Sequence, residues 1–164
     1  MNPSTFLDLG CAEPFLSALE RRGYTHPTPV QEHCFQAGLE GRDLLVQSRT
    51  GSGKTLAFGL PLMHRLTGER HPQALVLTPT RELAQQVAGE LQSVMPRLVI
   101  AQLVGGMGYA GQISALRQGA PVIVGTPGRV QDHLERGTLD LARVTMVVLD
   151  ECDEMLNMGF IEDV

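Results

Sequence analysis

The clearest chemical pattern in the chain is Ser48-Arg49-Thr50-Gly51-Ser52-Gly53-Lys54-Thr55. It fits the phosphate-loop pattern G-x-x-x-x-G-K-[ST] at every fixed position but the first, where Ser48 stands in place of glycine. Gly51 and Gly53 lack a Cβ, so the backbone can turn its N–H groups inward around an anion. A helical run follows through Leu66 and would present its positive N-terminal end to the same anion. Lys54 can reach the β and γ phosphates of a bound nucleotide, and the Thr55 hydroxyl can ligate Mg²⁺. Lys54 is also the chain's only lysine: of 13 basic residues, the other twelve are arginine. A compact ammonium and a broad planar guanidinium are not interchangeable, so a site that keeps the ammonium is a tight one.

Phosphate chemistry needs a second metal-handling element. The aliphatic run Val147-Val148-Leu149 ends in Asp150 and Glu151. A strand that ends in two carboxylates delivers them to its C-terminal edge, where ligands bind in open α/β sheets. Asp150 is the candidate Mg²⁺ partner, and Glu151 the candidate base for an attacking water.

The elements that must position these residues follow from periodicity. Residues 13–22 carry Phe15, Leu16 and Leu19 at helical spacing, and Gly23 ends the run. Pro27 and Pro29 mark an extended link into a second helix. Short aliphatic runs then recur at 44–46, 74–77, 98–100, 122–124 and 144–149, the pattern of strands buried on both faces. Between them, residues 82–95 place Leu83, Val87, Leu91 and Val94 on one stripe. Alternating strands and helices predict a parallel sheet flanked by helices.

Composition narrows the class. The 164 residues are 43% hydrophobic, enough for a core, and only 4% aromatic, so that core is aliphatic. No apolar run is long enough for a membrane span, and Met1-Asn2-Pro3-Ser4-Thr5-Phe6 has no secretory pattern. Cys11, Cys34 and Cys152 are odd in number and widely spaced, which argues for a reducing, cytoplasmic compartment and against a disulfide framework. Cys152 is expected as a packed small residue. The five histidines (26, 33, 64, 71 and 133) are scattered and are expected as surface or helix filler. A net charge of −5 disfavours nonspecific, charge-driven nucleic-acid binding.

Taken together, the motifs resemble those of the DEAD-box RNA helicases. Asp150-Glu151-Cys152-Asp153 is similar to the family signature, with Cys in place of the usual Ala. Gly23-Tyr24-Thr25-His26-Pro27-Thr28-Pro29-Val30-Gln31 resembles the Q motif, which recognises adenine, and Phe6 lies upstream where the family has an isolated aromatic. Pro79-Thr80-Arg81-Glu82-Leu83-Ala84 is identical to motif Ia, and Gly105-Gly106 matches the family's glycine pair. Thr126-Pro127-Gly128-Arg129 is identical to motif Ib. Asp153 to Phe160 reads like the extension after motif II. The resemblance covers essentially the whole chain.

It implies a RecA-like phosphate-loop fold, with residues 1–22 as an N-terminal flank and 23–164 as the first helicase domain, incomplete at its C-terminus. It implies ATP and Mg²⁺ as cofactors. ATP would be held by Phe6, Tyr24, Thr28, Gln31, Arg49, Thr50, Gly51, Ser52, Gly53, Lys54 and Thr55. The metal would be held by Thr55 and Asp150, and Lys54, Asp150 and Glu151 would be catalytic. A glutamine amide donates and accepts together, so Gln31 can pair with adenine N6 and N7 but fits guanine poorly. RNA would be gripped through its sugar-phosphate backbone by Pro79, Thr80, Arg81, Gly105, Gly106, Thr126, Pro127, Gly128 and Arg129. Thr80 and Thr126 can cap the helices they precede. Helix N-termini and glycine backbone bind phosphate without net positive charge, which reconciles this role with the acidic balance. Such contacts carry no base information.

The family's enzymes use a second RecA-like domain, absent here, whose arginines are worth about 10³–10⁵ in rate in related enzymes. The chain also stops before the Ser-Ala-Thr motif, whose strand would lie between those near 43–47 and 144–149. The expectation is a marginally stable or self-associating chain. An alternative reading is a catalytically silent ATP- and RNA-binding module.

Overall fold

The computed structural model describes residues 4–164. Met1, Asn2 and Pro3, the start of the N-terminal flank, lie outside the described residues. The chain divides into two compact units. One runs to Leu66 and includes Glu90–Pro96; the other comprises Thr67–Gly89 and Arg97–Val164.

The first unit holds helices α1 (Phe15–Arg21), α2 (Pro29–Leu39) and α3 (Lys54–Arg65). Helix α2 starts where the sequence marks it: Pro29 is at N1 and Thr28 is the N-cap. Gln31 completes a capping box, with its side chain accepting from the Thr28 backbone N–H at 3.0 Å. Helices α2 and α3 pack against each other, and Leu19, Phe35, Leu60 and Leu91 are fully buried. His64 is the polar member of this core. Its ring lies 4.3 Å from Phe15 and 5.2 Å from Phe35. Its Nδ1 faces the Leu60 carbonyl at 2.7 Å, and its Nε2 accepts from the Ala12 N–H at 3.0 Å. The filler reading of His64 is corrected: the ring spans the packing of several segments.

The second unit holds β1 (Ala74–Leu77), most of α4 (Arg81–Val94), β2 (Ile100–Leu103), α5 (Tyr109–Arg117), β3 (Val122–Gly125), α6 (Pro127–Glu135), β4 (Met146–Leu149) and α7 (Cys152–Asn157). The four strands form a parallel sheet in the order β2-β3-β1-β4, with Leu77 opposite both Gly125 and Leu149. Leu75, Leu77, Leu103, Ile123, Val130 and Met155 form its core. Strands β1 and β3 are buried along their whole length, as continuous aliphatic runs require.

Two strand expectations fail. Residues 42–49 belong to no strand; Leu45 is 96% exposed, and Leu44 and Val46 are exposed too. The reason is that a strand is defined by its neighbour, and the sheet offers this segment none. Strand β4 does form, but it is a sheet edge rather than a strand buried on both faces, and Val147 and Leu149 are exposed. In addition, β2 begins at Ile100, two residues later than the 98–100 run suggests.

Candidate functional site

The nucleotide-site candidates of the first unit converge around Gly53. This residue is the N-cap of α3 and has φ 87°, a left-handed conformation that favours glycine. A Cβ there would come within 2.5 Å of Gln31 Nε2 and 3.1 Å of Thr28 Oγ1. Gln31 is 6% exposed and its amide nitrogen donates to the Gly53 carbonyl at 3.1 Å. The Q-motif glutamine is therefore hydrogen-bonded directly to the phosphate loop. Lys54 opens α3, and its ammonium donates to the Ser48 carbonyl at 3.0 Å, across the loop. The departure from glycine at position 48 has a structural partner: the Ser48 and Ser52 hydroxyls are 2.8 Å apart. Thr55 is half-buried in the first turn of α3, while Arg49, Thr50 and Gly51 are exposed. Tyr24 is exposed, with the Arg22 guanidinium 5.4 Å over its ring. Phe6 is 3% exposed, so its ring is part of the core.

In the second unit, the C-terminal ends of neighbouring strands gather the other candidates. Asp150 follows β4 directly and is 9% exposed; its backbone N–H donates to the Leu77 carbonyl at 2.9 Å. Glu151 is exposed and has φ 53°, the one left-handed non-glycine residue among those described. Such strained backbone concentrates at functional sites. Cys152 is exposed at the start of α7, which corrects its reading as a packed residue. Burial pushes the Cys11 thiol up to about 11, which suppresses its reactivity.

Motif Ia lies after β1. Thr80 caps α4, its hydroxyl accepting from the Leu83 N–H at 3.2 Å. The fully buried Thr78 fixes this turn by donating to the Thr80 carbonyl at 2.9 Å. Arg81 lies against the glycine pair, since a Cβ on Gly106 would meet its Nη1 at 2.8 Å. Motif Ib lies after β3, with Pro127 at N1 of α6. Thr126 makes no side-chain cap, contrary to expectation. The Thr126 backbone is extended, as at an N-cap, and Pro127 fixes the first helical φ, so α6 starts at the expected residue without that side-chain bond. Arg129 Nη1 donates to the Met107 carbonyl at 2.9 Å, next to the glycine pair. Residues of motif Ia, the glycine pair and motif Ib thus share one end of the sheet, and Gly105, Gly106 and Gly128 are exposed there.

Several supporting residues carry no sequence signal. His133, expected as filler, is fully buried and contacts Gln112 and Thr138. Tyr109 stacks between the Arg129 and Arg136 guanidiniums, 4.2 and 4.1 Å from its ring centroid, and its hydroxyl donates to Asp132. The Tyr109 and Arg136 hydrogen bonds hold the Asp132 carboxyl below its usual range.

Comparison with known proteins agrees with this geometry. The chain is 54% identical over 165 residues to the ATP-dependent RNA helicase DeaD of Klebsiella pneumoniae, and 53% identical to that of Escherichia coli strain K12. These alignments cover 98% of this chain and 26% of each relative, so the chain spans about a quarter of their length. Among solved structures, a DEAD box protein from Methanococcus jannaschii superposes with a TM-score of 0.92 at 44% identity, over 97% of this chain and 44% of that one. A hypothetical ATP-dependent RNA helicase from Sulfolobus tokodaii gives 0.84 at 36% identity, over 91% of this chain and 44% of that one. The parallel sheet and its helices are the RecA-like fold of those helicase domains. The family model of the DEAD/DEAH box helicases matches residues 28–164, and the chain belongs to that family.

Proposed function

We propose that this chain is the ATP-binding, RNA-contacting part of an ATP-dependent RNA helicase that couples ATP hydrolysis to local duplex unwinding. The observation that carries the reading is the Gln31–Gly53 hydrogen bond. It sets the adenine-selecting amide against the loop that holds phosphate, so base and phosphates of one nucleotide meet a single unit. On binding, Lys54 exchanges the Ser48 carbonyl for phosphate oxygens, and the amides around Gly51 and Gly53 face the same anion. Thr55 and Asp150 offer hydroxyl and carboxylate oxygens, the hard donors that suit Mg²⁺. Such an ion, when bound, neutralises phosphate charge. Glu151 orients the attacking water and takes its proton. The exposed glycines, the α4 and α6 N-termini and the two motif arginines contact the RNA sugar-phosphate backbone without reading bases.

Titration calorimetry with Mg-ADP tests the nucleotide site. Heat is expected with the native chain and none with Lys54→Ala; absence of heat from well-folded native chain would overturn the reading. A cytoplasmic setting suits the three free cysteines. The exposed apolar residues at 44–46 and along β4 support self-association, read by light scattering as a mass above 17.8 kDa. A second reading is a binding module without turnover. A single-turnover ATPase assay with and without RNA separates the two.

A further inference from the structure

We propose that Gln112, locked by His133, is a positioning residue that presets the Arg129 guanidinium for a phosphate; the inference rests on Arg129 being an RNA-backbone contact. Three bonds converge on the Gln112 side chain, which is 5% exposed on α5. Its Nε2 donates to the Val104 carbonyl at 2.9 Å, which fixes which end of the amide is oxygen. That oxygen then faces two donors, His133 Nε2 at 2.8 Å and Arg129 Nη1 at 3.2 Å. A carbonyl oxygen only accepts, so His133 carries its proton on Nε2. Burial, with the charges of Arg129 and Arg136 against that of Asp132, holds the His133 pKa below its ordinary value. In the neutral ring Nδ1 is an acceptor, and the Thr138 hydroxyl, with one proton to share, lies 2.7 Å from it and 3.1 Å from the His133 carbonyl. The direction of the His133–Gln112 bond is thus set from the Val104 end.

The consequence falls on Arg129. Its Nη1 has two hydrogens, and both are committed, one to the Met107 carbonyl and one to Gln112. The guanidinium also stacks on Tyr109. What remains is Nη2 and Nε, an adjacent pair of donors that matches two oxygens of a phosphate. A guanidinium held in this way does not lose its rotamer freedom on binding. Ordering one long side chain beforehand changes affinity by about two- to tenfold.

The test measures binding of the chain to fluorescent single-stranded oligouridylate in low salt, with a thermal melt for every variant. Gln112→Leu removes the acceptor and is expected to weaken binding about two- to tenfold. Gln112→Glu keeps oxygen acceptors for Arg129 and His133 and is expected to restore affinity to near the native value. A merely structural role predicts the reverse, because a buried carboxylate harms folding at least as much as leucine. In an Arg129→Ala background, Gln112→Leu is expected to add nothing. If Arg129→Ala itself leaves binding unchanged, the underlying reading of Arg129 fails. If Arg129→Ala weakens binding while Gln112→Leu has no effect, or acts additively with it, the positioning role is overturned.

Discussion

Gly53 combines two constraints that no other residue type meets. Its φ of 87° is left-handed, and the space a Cβ would take is filled by Gln31 and Thr28. Gly53→Ala is expected to cost about 1–3 kcal/mol from backbone strain alone. It also pushes Gln31 away from the loop, so Mg-ADP binding is expected to fall in the same variant. Chemical denaturation and calorimetry read the two effects; an alanine variant with native stability and affinity would contradict the geometry. Residues such as Gly53, Lys54 and Arg129 are legible in sequence because their chemistry is local, set by a missing Cβ, a lone ammonium or a position in a helix's first turn. Gln112 and His133 are not legible. They lie 21 residues apart and meet only through the packing of α5 against α6, and a lone histidine has no spacing pattern to reveal that. Gln31 is marked in the sequence as a candidate adenine reader, but its bond to Gly53, 22 residues away, is not legible there.

At the scale of elements, periodicity places α1 and α4 but not α5, and aliphatic runs mark the four strands and one segment, 44–46, that is not a strand. Helix α4 falls on the Leu83, Val87, Leu91, Val94 stripe, since a helix makes its own hydrogen bonds and only its buried face needs a partner. A strand takes its bonds from elsewhere, so the run at 44–46 has strand composition and no strand. Leu45→Asp in this chain is accordingly expected to change stability by less than about 0.5 kcal/mol. Leu75→Ala, within β1 and 6% exposed, is expected to cost about 2–5 kcal/mol. Equal costs from denaturant midpoints would place Leu45 in a core. His64 gives the first unit a pH response. Burial lowers its pKa from the ordinary 6.5, outweighing the opposing hydrogen bond to the Leu60 carbonyl, and in the fold Nε2 accepts from Ala12. The unfolded chain binds that proton more readily. Stability is therefore fully present above about pH 6.5 and falls as pH drops below it. His133, lowered in the same direction, adds to the slope. Denaturant midpoints between pH 7.5 and 5 are expected to decline in the native chain and to decline less in His64→Gln; an unchanged slope would remove His64 as a source.

For the whole molecule, the governing quantity is the mismatch between a net charge of −5 and the polyanionic partner proposed for it. A protein that binds RNA through a broad basic surface neutralises many phosphates and loses affinity steeply with salt. Here the candidate contacts are mostly neutral: glycine backbone and the N-termini of α4 and α6, with Arg81 and Arg129 as the only full cations among the motif residues. The Arg81 ion pair with Glu82 is exposed and 3.5 Å long, too weak to withhold the guanidinium. Each neutralised phosphate contributes about 0.7 to the salt slope for single-stranded nucleic acid, so two arginines give a slope of log K against log salt near −1.4. Removing one of them, as Arg81→Ala, is expected to bring the slope to about −0.7 while weakening binding uniformly across RNA sequences. Fluorescence anisotropy with oligouridylate and oligoadenylate over a salt series measures both. A native slope steeper than about −4 would require cations outside these motifs, and the grip on the backbone would then be a property of the surface rather than of the strand ends.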